Sequence, residues 1–562
     1  MRVAPTLVDA VRALADDTAR GFVFVRTDGT EKLHSFAAIA AEAERRAAHL
    51  AARGLKKGDR LAMVVPDGDE FVLSFLGALF AGVVPVPIYP QLTFKNIEGY
   101  HETVAHIARA SGAAMLLTTA TTRAYVEPVL PRVEALRTIV TVDELAGDAP
   151  GPARLDAKVA PGDLAFLQFT SGSTARPKGV MVTHGNLAAN AAAFMLDGLA
   201  RDSSVDKGVS WLPLFHDMGL IGFVVGPIFT NIPCVFLPTA SFVRAPRLWL
   251  DKIHEHRGTI TYAPNFAYAL VAKRLKERDV EGLDLSCLRI AGCGAEPIQA
   301  RALRDFAERL APAGFDPRSF LPSYGMAEAT LAITFMPRRE GLKTDGGTDG
   351  TKELVDCGVP FPGHELAIVD EAGAKLGERQ VGQIVVRGPS VTPGYFREPE
   401  LTAQTYKTLP GDLAGAPWLF TGDLGYMAGD RLFVCGRVKD IIIVRGRNYY
   451  PSDVEWAVSE LPGVRRANVV AFGVDVGGEE QLVVCCEGAA SDAASLREAT
   501  SACVAAQFGL TVHEVVVAPL ASLPRTSSGK PQRRKTKQMY EDGTLPRARP
   551  VQASVDAAEG GA

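Results

Sequence analysis

A ten-residue segment rich in hydroxyl groups, residues 170–179, offers the chemistry of a phosphate site. It reads TSGSTARPKG and carries four hydroxyl side chains, two glycines and one lysine. Phosphate oxygens are bound by groups of these kinds: backbone N–H groups left accessible at glycine, short hydroxyls and a positive charge. The segment therefore indicates a site for a nucleotide triphosphate. The alternative is a flexible surface turn, which clusters of Ser, Thr and Gly often form.

The residues on either side of this segment exclude one large class of nucleotide-binding protein. Residues 163–169 and 179–183 both alternate in the manner of strands, so the segment lies in a strand–loop–strand. A Walker motif needs a strand–loop–helix with Ser or Thr directly after Gly-Lys, whereas here Lys178 precedes Gly179. The chain is therefore not expected to have the fold of a P-loop NTPase.

Alternating helix and strand patterns predict the elements that must position this segment. Helical spacing occurs over residues 35–53, 70–80 and 96–110, and strand patterns occur over 60–65, 82–86 and 114–118. Strands that alternate with helices predict parallel βαβ units with helices on both faces. The same alternation continues from Asp163 to about Ile333. We therefore expect an α/β fold, with a large N-terminal domain built on parallel sheets.

The pattern changes after Glu328. Residues 338–352 are polar and lack an apolar period, which predicts an inserted surface loop. Short strand patterns follow at 365–369, 383–387 and 431–435, and these indicate a small antiparallel β unit. The predicted domains are 1–436, a small mobile α+β domain at 437–546, and a disordered tail at 547–562. In the small domain we expect helices at 451–460 and 493–508 and strands at 467–472 and 481–486.

Composition excludes several other classes of function. The 562-residue chain has a formal net charge of −4 at pH 7, which gives no indication of nucleic-acid or anionic-membrane binding. Its eight cysteines form no CxxC pair and are expected to be small buried residues in a reducing compartment. Asp9, Asp16 and Asp17 argue against a signal peptide, and the longest apolar stretch, 221–238, is interrupted by proline. A cytoplasmic location and no membrane span are therefore expected.

The hydroxyl-rich segment closely resembles the signature of the adenylate-forming superfamily, which includes acyl-CoA synthetases, luciferases and peptide-synthetase adenylation domains. Four further motifs follow in the superfamily's order: SYGMAE at 323–328, TGD at 421–423, GRVKD at 436–440 and RTSSGK at 525–530. The resemblance covers residues 5–545, nearly the whole chain. Five ordered motifs make it far more specific than the first segment alone.

Within the superfamily the chain looks most like the fatty acyl-AMP ligases. The resemblance rests on WLPLFHDMGL at 211–220, APNFAY at 263–268 and YGMAEAT at 324–330. It implies ATP-dependent conversion of a fatty acid to an acyl-adenylate, followed by transfer to an acyl carrier protein or a carrier domain of a polyketide or peptide synthetase. These ligases have an insertion after the Glu-bearing motif. Residues 338–352 fall there but look shorter, so CoA remains an alternative acceptor.

The resemblance implies a nucleotide site with Mg²⁺. Tyr324 would lie on the adenine ring, Asp423 would accept the ribose hydroxyls, and Glu328 would bind the metal together with Thr170. The whole set implied for the nucleotide is Thr170, Ser171, Gly172, Ser173, Thr174, Lys178, Gly294, Ala295, Glu296, Tyr324, Gly325, Met326, Asp423 and Arg437. One departure is Ala327, where the superfamily often has a hydroxyl. Thr330 is a candidate substitute.

The resemblance also implies the residues that act on the reacting groups. A carboxylate attacks the α-phosphate, so two anions must meet, and the Lys530 ammonium would bridge them. His216 would gate the passage between the ATP and acyl sites, or would be a partly buried structural histidine. Lys439 occupies the hinge position between the two domains. The basic run 533–537 would be a solvated helix face or would steer an acidic carrier protein.

Two further functions remain as alternatives. Amino-acid adenylation is disfavoured because the residues around Phe215 are of the fatty-acyl kind. A non-catalytic carrier-binding protein is disfavoured because Lys530, Glu328 and Asp423 are all present.

Overall fold

Parallel strands connected by helices build most of the chain, which confirms the predicted fold class. The computed structural model describes residues 3–91, 97–148, 158–170, 176–347, 353–412, 415–444, 447–464, 468–477, 479–525 and 531–548. The chain divides into two units, Met1–Cys435 and Gly436–Ala562. Each is described below by itself.

The first unit contains a nine-stranded sheet. Its strands lie in the spatial order Val359–Pro360, Ala332–Phe335, Phe320–Gly325, Ile290–Cys293, Ile260–Ala263, Gly208–Ser210, Cys234–Phe236, Gly21–Val25 and Glu31–Ser35. Neighbours from Phe320–Gly325 to Gly21–Val25 are parallel, and the edge strands pair antiparallel. Because the strands of a parallel sheet are connected through helices, both of its faces are covered and buried.

A second sheet of the same unit is wholly parallel. Its order is Val84–Pro87, Arg60–Val64, Met115–Thr118 and Thr138–Thr141. The strands at 60–64, 84–87 and 115–118 and the helices between them are the βαβ units that the sequence pattern predicts. The strands Leu164–Thr170 and Lys178–Thr183 form a separate antiparallel pair, so the two strands predicted on either side of the hydroxyl-rich segment are also confirmed.

The predicted β unit is an antiparallel sheet that includes one long strand. It contains Glu365–Val369, Gly382–Arg387, Trp418–Ala428 and Tyr406–Lys407, and Arg431–Arg437 pairs with Trp418–Ala428. The eleven-residue strand Trp418–Ala428 was not predicted. Its centre carries the Thr-Gly-Asp motif.

Helices cover the sheets of the first unit. Their bounds are Leu7–Arg12, Phe36–Ala52, Gly68–Phe80, Ile97–Ser111, Ala120–Val126, His184–Ala191, Asp217–Leu220, Gly226–Thr230, Thr239–Arg244, Arg247–His256, Asn265–Arg274, Ala300–Leu310 and Pro399–Thr405. The helix Phe36–Ala52 begins at a Ser35 side chain that accepts the N–H of Ala38, as its sequence predicts.

Two π-helical segments interrupt this regular pattern. Ala192–Gly198 continues the helix that starts at His184, and Ile221–Val225 lies between two short α-helices. The second segment belongs to the longest apolar stretch of the sequence and is packed in the core. Among the described residues, no helix combines the length and the apolar character needed to cross a bilayer.

The predicted insertion forms a small hairpin. Thr344–Asp345 pairs antiparallel with Leu354–Val355, and the described residues stop at 347 and resume at 353 between them. The Asp345 carboxylate accepts a hydrogen bond from the Tyr426 hydroxyl at 2.8 Å and pairs with Arg379 at 2.7 Å. The base of the insertion is thus tied to the antiparallel β unit.

The second unit has a three-stranded sheet with helices. Its strands are Val469–Val476, Glu479–Glu487 and Val512–Ala518, and its helices are Pro451–Ser459, Ala493–Phe508 and Arg533–Glu541. A short hairpin joins Ile442–Val444 to Arg447–Tyr449. Arg547 pairs with Glu514, and the Ala548 N–H donates to the carbonyl of Val517. The described structure therefore includes the first two residues of the segment predicted as tail, and the prediction for the rest lies outside the described residues.

A buried neutral histidine makes the stability of the first unit depend on pH. His184 starts the helix His184–Ala191, is 2% exposed, and accepts the N–H of Leu7 on Nδ1. Burial lowers its pKa to about 4, against the opposite effect of the Asp163 and Asp9 carboxylates. In the unfolded chain the imidazole titrates near its ordinary pKa of about 6.5. Between these two pKa values the imidazole is therefore protonated in the unfolded chain and neutral in the folded protein.

We expect this difference to remove about 2 kcal/mol of unfolding free energy between pH 7 and pH 5, and to add little further loss below about pH 4. The measurement is urea unfolding at several pH values, with His184→Gln as the matched variant because its amide oxygen still accepts the Leu7 N–H. The variant should lose about 2 kcal/mol less than the parent over that interval. Equal losses in both proteins would contradict the assignment.

Candidate active site

The hydroxyl-rich segment starts and ends on paired strands. Thr170, the last residue of its strand, lies opposite Lys178, the first residue of the next. The pairing brings a hydroxyl and an ammonium group to the same end of the hairpin, where donors to a phosphate are needed. Ser171, Gly172, Ser173 and Thr174 lie outside the described residues. Their predicted role stays a prediction.

A distant segment pairs with the strand that carries Lys178. The N–H of Met181 donates to the Gly394 carbonyl at 2.9 Å, and the N–H of Phe396 donates to the Gly179 carbonyl at 2.8 Å. Tyr395 is thereby fixed beside the phosphate-site strand, and its ring centroid lies 5.6 Å from the Nζ atom of Lys178. That distance is within the range of a cation–π interaction.

The same tyrosine contacts the carboxylate that the motifs assign to the metal. The Tyr395 hydroxyl donates to Oε1 of Glu328 at 2.8 Å. Tyr395 is 8% exposed and Glu328 is 9% exposed. Burial, and then the Glu328 carboxylate, raise the pKa of Tyr395, so the hydroxyl keeps the proton that it donates.

Glu328 lies in a tight turn. The same turn determines whether Thr330 can supply the hydroxyl that is missing at Ala327. A 3-10 segment, Ala327–Ala329, is followed by Thr330 with φ 70° and ψ −63°. The N–H of Leu331 donates to the Ala329 carbonyl at 2.9 Å, which closes a strained γ-turn. Thr330 is fully buried and donates its hydroxyl to the Ser390 carbonyl at 2.6 Å. It is therefore committed to the protein and does not replace the hydroxyl missing at Ala327.

The residues at this point fit a magnesium–nucleotide complex. Mg²⁺ takes one or two carboxylates, and phosphate oxygens and water complete its octahedron. Glu328 supplies a carboxylate held by Tyr395, and Thr392 donates both its N–H, at 2.9 Å, and its hydroxyl, at 3.0 Å, to the Glu328 carbonyl. Thr170 would add a hydroxyl oxygen. Such a metal would neutralise phosphate charge.

The residues predicted for adenine and ribose contact each other. The Tyr324 hydroxyl donates to Oδ2 of Asp423 at 2.7 Å, and Asp423 is 7% exposed. Asp423 follows Gly422, which has φ 76°. Opposite Ile384 the register of the strand pair shifts, so Asp423 stands at a β-bulge rather than in a turn. A bulge of this kind redirects a side chain, here toward Tyr324.

Gly294, Ala295 and Glu296, which the resemblance implies for the nucleotide site, directly follow the strand Ile290–Cys293. A Cβ atom on Gly294 would lie 2.8 Å from Oγ and 3.1 Å from the carbonyl oxygen of Ser323, so a larger residue here would crowd Ser323. Ala295 has φ 67°. The Glu296 carboxylate accepts the N–H of Phe266 at 2.6 Å, which gives Glu296 a structural bond at the start of the helix Asn265–Arg274.

An apolar cavity lies beside Tyr324, Gly294 and Ala295. It is lined by Phe194, Met195, Leu199, Gly208, Asp217, Met218, Gly222, Phe223, Pro227, Ile232, Cys234, Ile260, Tyr262, Gly294, Ala295, Ser323, Tyr324, Gly325, Leu331, Ala332 and Phe335. Both π-helical segments contribute to its wall. Such segments often occur at functional sites. Met326 lies beside the cavity-lining residues and packs with Ala329 and Ile333.

The predicted gate residue lies at the edge of this cavity. Nδ1 of His216 is 2.5 Å from Oδ1 of Asp217, which is the one carboxylate among the cavity-lining residues of the described chain. Gln168, on the strand of the phosphate site, donates to the Phe215 carbonyl at 3.1 Å. The histidine segment is thus tied to the strand that ends at Thr170. Its gating role stays a prediction.

Lys530 lies outside the described residues, but the residues that flank 526–530 in the chain contact each other. Arg525 and Pro531 form an antiparallel bridge, and the N–H of Gln532 donates to the Pro524 carbonyl at 2.9 Å. Glu487 is fully buried, and its carboxylate accepts the N–H groups of Ser522 and Leu523, both at 2.9 Å. Arg525 and Pro531, the described residues on either side of 526–530, are therefore held together.

The helix Arg533–Glu541 is tied to the predicted hinge segment. Arg533 pairs with Asp440 and with Glu455, the latter at 2.9 Å. Its side chain is 22% exposed, so the expectation that the whole basic run is a solvated face is wrong for its first residue. Arg437 ends its strand, and both Arg437 and Lys439 are exposed. Their predicted ribose and hinge roles stay predictions.

Known proteins share this arrangement of sequence and fold. A family model described as AMP-binding enzyme matches residues 10–396, and one described as Disco-interacting protein 2-like, AMP domain, matches residues 439–549. A putative acyl-CoA synthetase of Caulobacter vibrioides (strain NA1000 / CB15N) is 37% identical, with 96% of each chain covered. The long-chain-fatty-acid–AMP ligase FadD26 of Mycobacterium marinum (strain ATCC BAA-535 / M) is also 37% identical, over 85% of this chain and 86% of the other.

A solved structure agrees over the same length. It comes from a structural and functional study of fatty acyl-adenylate ligases from E. coli and L. pneumophila. It superposes with a TM-score of 0.89 at 33% identity and covers 96% of this chain and 98% of that one. Identity and coverage at this level extend the similarity beyond the motifs to both units.

Proposed function

The chain belongs to the family of AMP-binding enzymes, in the branch of the fatty acyl-AMP ligases, and we propose that it activates a fatty acid with ATP and passes the acyl group to a carrier protein. In the first step the fatty acid carboxylate attacks the α-phosphorus of ATP, and pyrophosphate leaves. In the second step the thiol of a phosphopantetheine group attacks the acyl carbon, and AMP leaves. The thiol proton goes to solvent.

The observation that carries the proposal is the position of the apolar cavity. It shares Tyr324, Gly294 and Ala295 with the predicted adenosine site. A fatty acid whose chain lies in the cavity would present its carboxylate beside a nucleotide held by Tyr324 and Asp423. Burial of each methylene is worth about 0.8 kcal/mol, which favours an alkyl chain over a polar substrate in such a wall.

The charged groups support the same first step. Both reacting partners are anions, so the reaction needs positive charge and fixed geometry. Lys178 would hold the phosphates that leave as pyrophosphate, and Glu328 would hold the metal that neutralises them. Lys530 would act at the α-phosphate. Mg²⁺, when bound, supplies charge neutralisation at the phosphate oxygens.

The cavity also bears on the amino-acid alternative. An amino-acid substrate needs a carboxylate that is ready to pair with its ammonium group. Asp217 is the carboxylate at the cavity, but it lies against His216 at 2.5 Å and its Oδ1 accepts the N–H of Met218 at 2.7 Å. These contacts favour a substrate without an ammonium group.

The identity of the acyl acceptor is tested by offering the protein two thiols, a holo acyl carrier protein and CoA. With ATP and a long-chain fatty acid alone, acyl-adenylate should accumulate in the site with release of pyrophosphate. A holo acyl carrier protein from the same organism should then be acylated at least about tenfold faster than CoA, since FadD26 carries the name of an AMP ligase. The apo carrier, which lacks the thiol, is the control.

Acylation of CoA at the rate of the holo carrier would favour the alternative, an acyl-CoA synthetase with the same first step. The name of the Caulobacter relative supports that alternative. The absence of fatty-acid-dependent pyrophosphate release would reject both.

A further inference from the structure

We propose that Tyr395 is a positioning residue that fixes Lys178 and Glu328 relative to each other before a nucleotide binds. The inference rests on the proposed function, since it concerns the site for the phosphates and the metal. None of the five motifs includes Tyr395. Two independent sets of contacts support it, one from its backbone and one from its side chain.

The backbone contacts attach Tyr395 to the phosphate-site strand. Val180 and Tyr395 form an antiparallel bridge, with flanking hydrogen bonds at 2.9 and 2.8 Å. The N–H of Tyr395 itself donates to the Thr402 hydroxyl at 3.0 Å. Because Lys178 is two residues from Val180 on this strand, the Cα atom of Tyr395 cannot move without moving the strand that carries the lysine.

The side-chain contacts connect this anchored backbone to Glu328. The phenol donates to Oε1 at 2.8 Å, while its ring lies 5.6 Å from the Lys178 ammonium. One aromatic ring therefore contacts both charged groups. A ring has only two rotatable side-chain bonds, so it holds this spacing at low entropic cost.

A second layer of hydroxyl groups supports the same carboxylate segment. Thr392 donates its hydroxyl to the Glu328 carbonyl at 3.0 Å and lies 2.8 Å from the Tyr406 hydroxyl. The Tyr406 ring packs edge-on against Tyr395, with centroids 6.3 Å apart. Thr392 thus holds the main chain of Glu328 and is itself supported by Tyr406, whereas the Tyr395 hydroxyl donates to the Glu328 carboxylate.

This difference determines what loss of the hydroxyl should do. A metal-binding carboxylate whose supporting hydrogen bond is removed samples other rotamers, and such changes weaken metal binding by about 10- to 100-fold. The fold should change little, because the ring, its packing and the backbone bridge all remain in Tyr395→Phe. The variant therefore separates positioning from packing.

The experiment measures metal-dependent nucleotide binding without catalysis. The Kd of α,β-methylene-ATP, which cannot release pyrophosphate, is measured by calorimetry with saturating Mg²⁺ and with EDTA. The ratio of the two constants reports the contribution of the metal. Tyr395→Phe should reduce this ratio by about tenfold, and the KM for the fatty acid should stay unchanged.

Tyr426→Phe is the matched control. Tyr426 is fully buried, and its hydroxyl donates to the Asp345 carboxylate at the same distance, 2.8 Å, at the base of the insertion. Both variants lose a hydroxyl–carboxylate bond of the same length, which is buried at Tyr395 and partly buried at Tyr426, and both should lower the melting temperature. Only Tyr395→Phe should change the Mg²⁺ ratio.

Glu328→Gln distinguishes the positioning role of Tyr395 from the assignment of Glu328 to the metal. If it lowers the ratio and Tyr395→Phe does not, the inference about Tyr395 is overturned and the metal assignment stands. If Glu328→Gln leaves the ratio at the parent value, the metal assignment fails and the positioning role fails with it. Equal reduction by Tyr395→Phe and Tyr426→Phe would also overturn the inference, because it would show a general loss of rigidity.

Discussion

Replacement of Lys530 by alanine is expected to slow acyl-adenylate formation by about 10²- to 10³-fold. The carboxylate and the α-phosphate are both anions, and their approach raises the energy of the transition state more than that of the bound substrates. An ammonium group placed between them lowers that difference. Nucleotide and fatty acid affinities should stay close to those of the parent, because Lys178, Glu328 and the cavity are untouched.

The measurement is fatty-acid-dependent ATP–pyrophosphate exchange, together with a binding assay for each substrate. Lys535→Ala is the control, since it removes the same charge from an exposed position on the helix Arg533–Glu541. Exchange at the parent rate in Lys530→Ala would refute the catalytic assignment. A similar loss in Lys535→Ala would show that the effect is one of net charge.

Replacement of Gly222 by tryptophan is expected to lower kcat/KM for long-chain fatty acids by about 100-fold relative to shorter ones. Gly222 lies in the π-helical segment Ile221–Val225 and lines the apolar cavity. A Cβ atom there would have only Cδ2 of Leu331 within 4 Å, at 3.7 Å. A Cβ atom therefore fits at ordinary van der Waals distance from another cavity-lining residue, and an indole ring would occupy the volume that we assign to the alkyl chain.

Gly222→Ala provides the graded control. Its methyl group fits at ordinary van der Waals distance, so the preference for chain length should change little. The assay compares a series of fatty acids of increasing length, with nucleotide binding as a check on the fold. A uniform loss for all lengths in Gly222→Trp, or no loss at all, would contradict the assignment of the cavity to the acyl chain.

The sequence predicted those parts of the fold that depend on local pattern. The helices that begin near Ser35 and at Ala493, and the strands beside the hydroxyl-rich segment, follow from apolar periodicity and capping. Asp423 shows where local pattern is insufficient. A Thr-Gly-Asp triplet has the composition of a turn, yet here it lies inside an eleven-residue strand. The pairing with Gly382–Arg387 and Arg431–Arg437 overrides the local preference.

The contacts of Tyr395 could not be predicted from the sequence at all. Its partners Val180 and Glu328 are 215 and 67 residues away in the chain. The spacing of residues within a short segment cannot predict contacts between residues so far apart in the chain. A tyrosine after Pro-Gly also looks like an ordinary loop residue. The prediction that Thr330 replaces the hydroxyl missing at Ala327 was wrong for a related reason. Its residue type suits a phosphate contact, but the γ-turn directs its hydroxyl to the Ser390 carbonyl.

The ion pair between Arg533 and Asp440 has a consequence for protein engineering. One way to engineer such an enzyme is to replace its C-terminal unit with that of a relative. The residue at which the two chains are joined decides whether both members of an ion pair come from the same protein. A junction between Cys435 and Gly436 transfers both members of the pair with Glu455. A junction placed after Asp440 would keep the pair between Arg533 and Glu455, but it would replace Asp440 with a residue of the other donor, and Arg533 would lose one of its two carboxylate partners wherever that residue is not acidic. Successful hybrids should therefore keep residues 436–440 with the C-terminal donor.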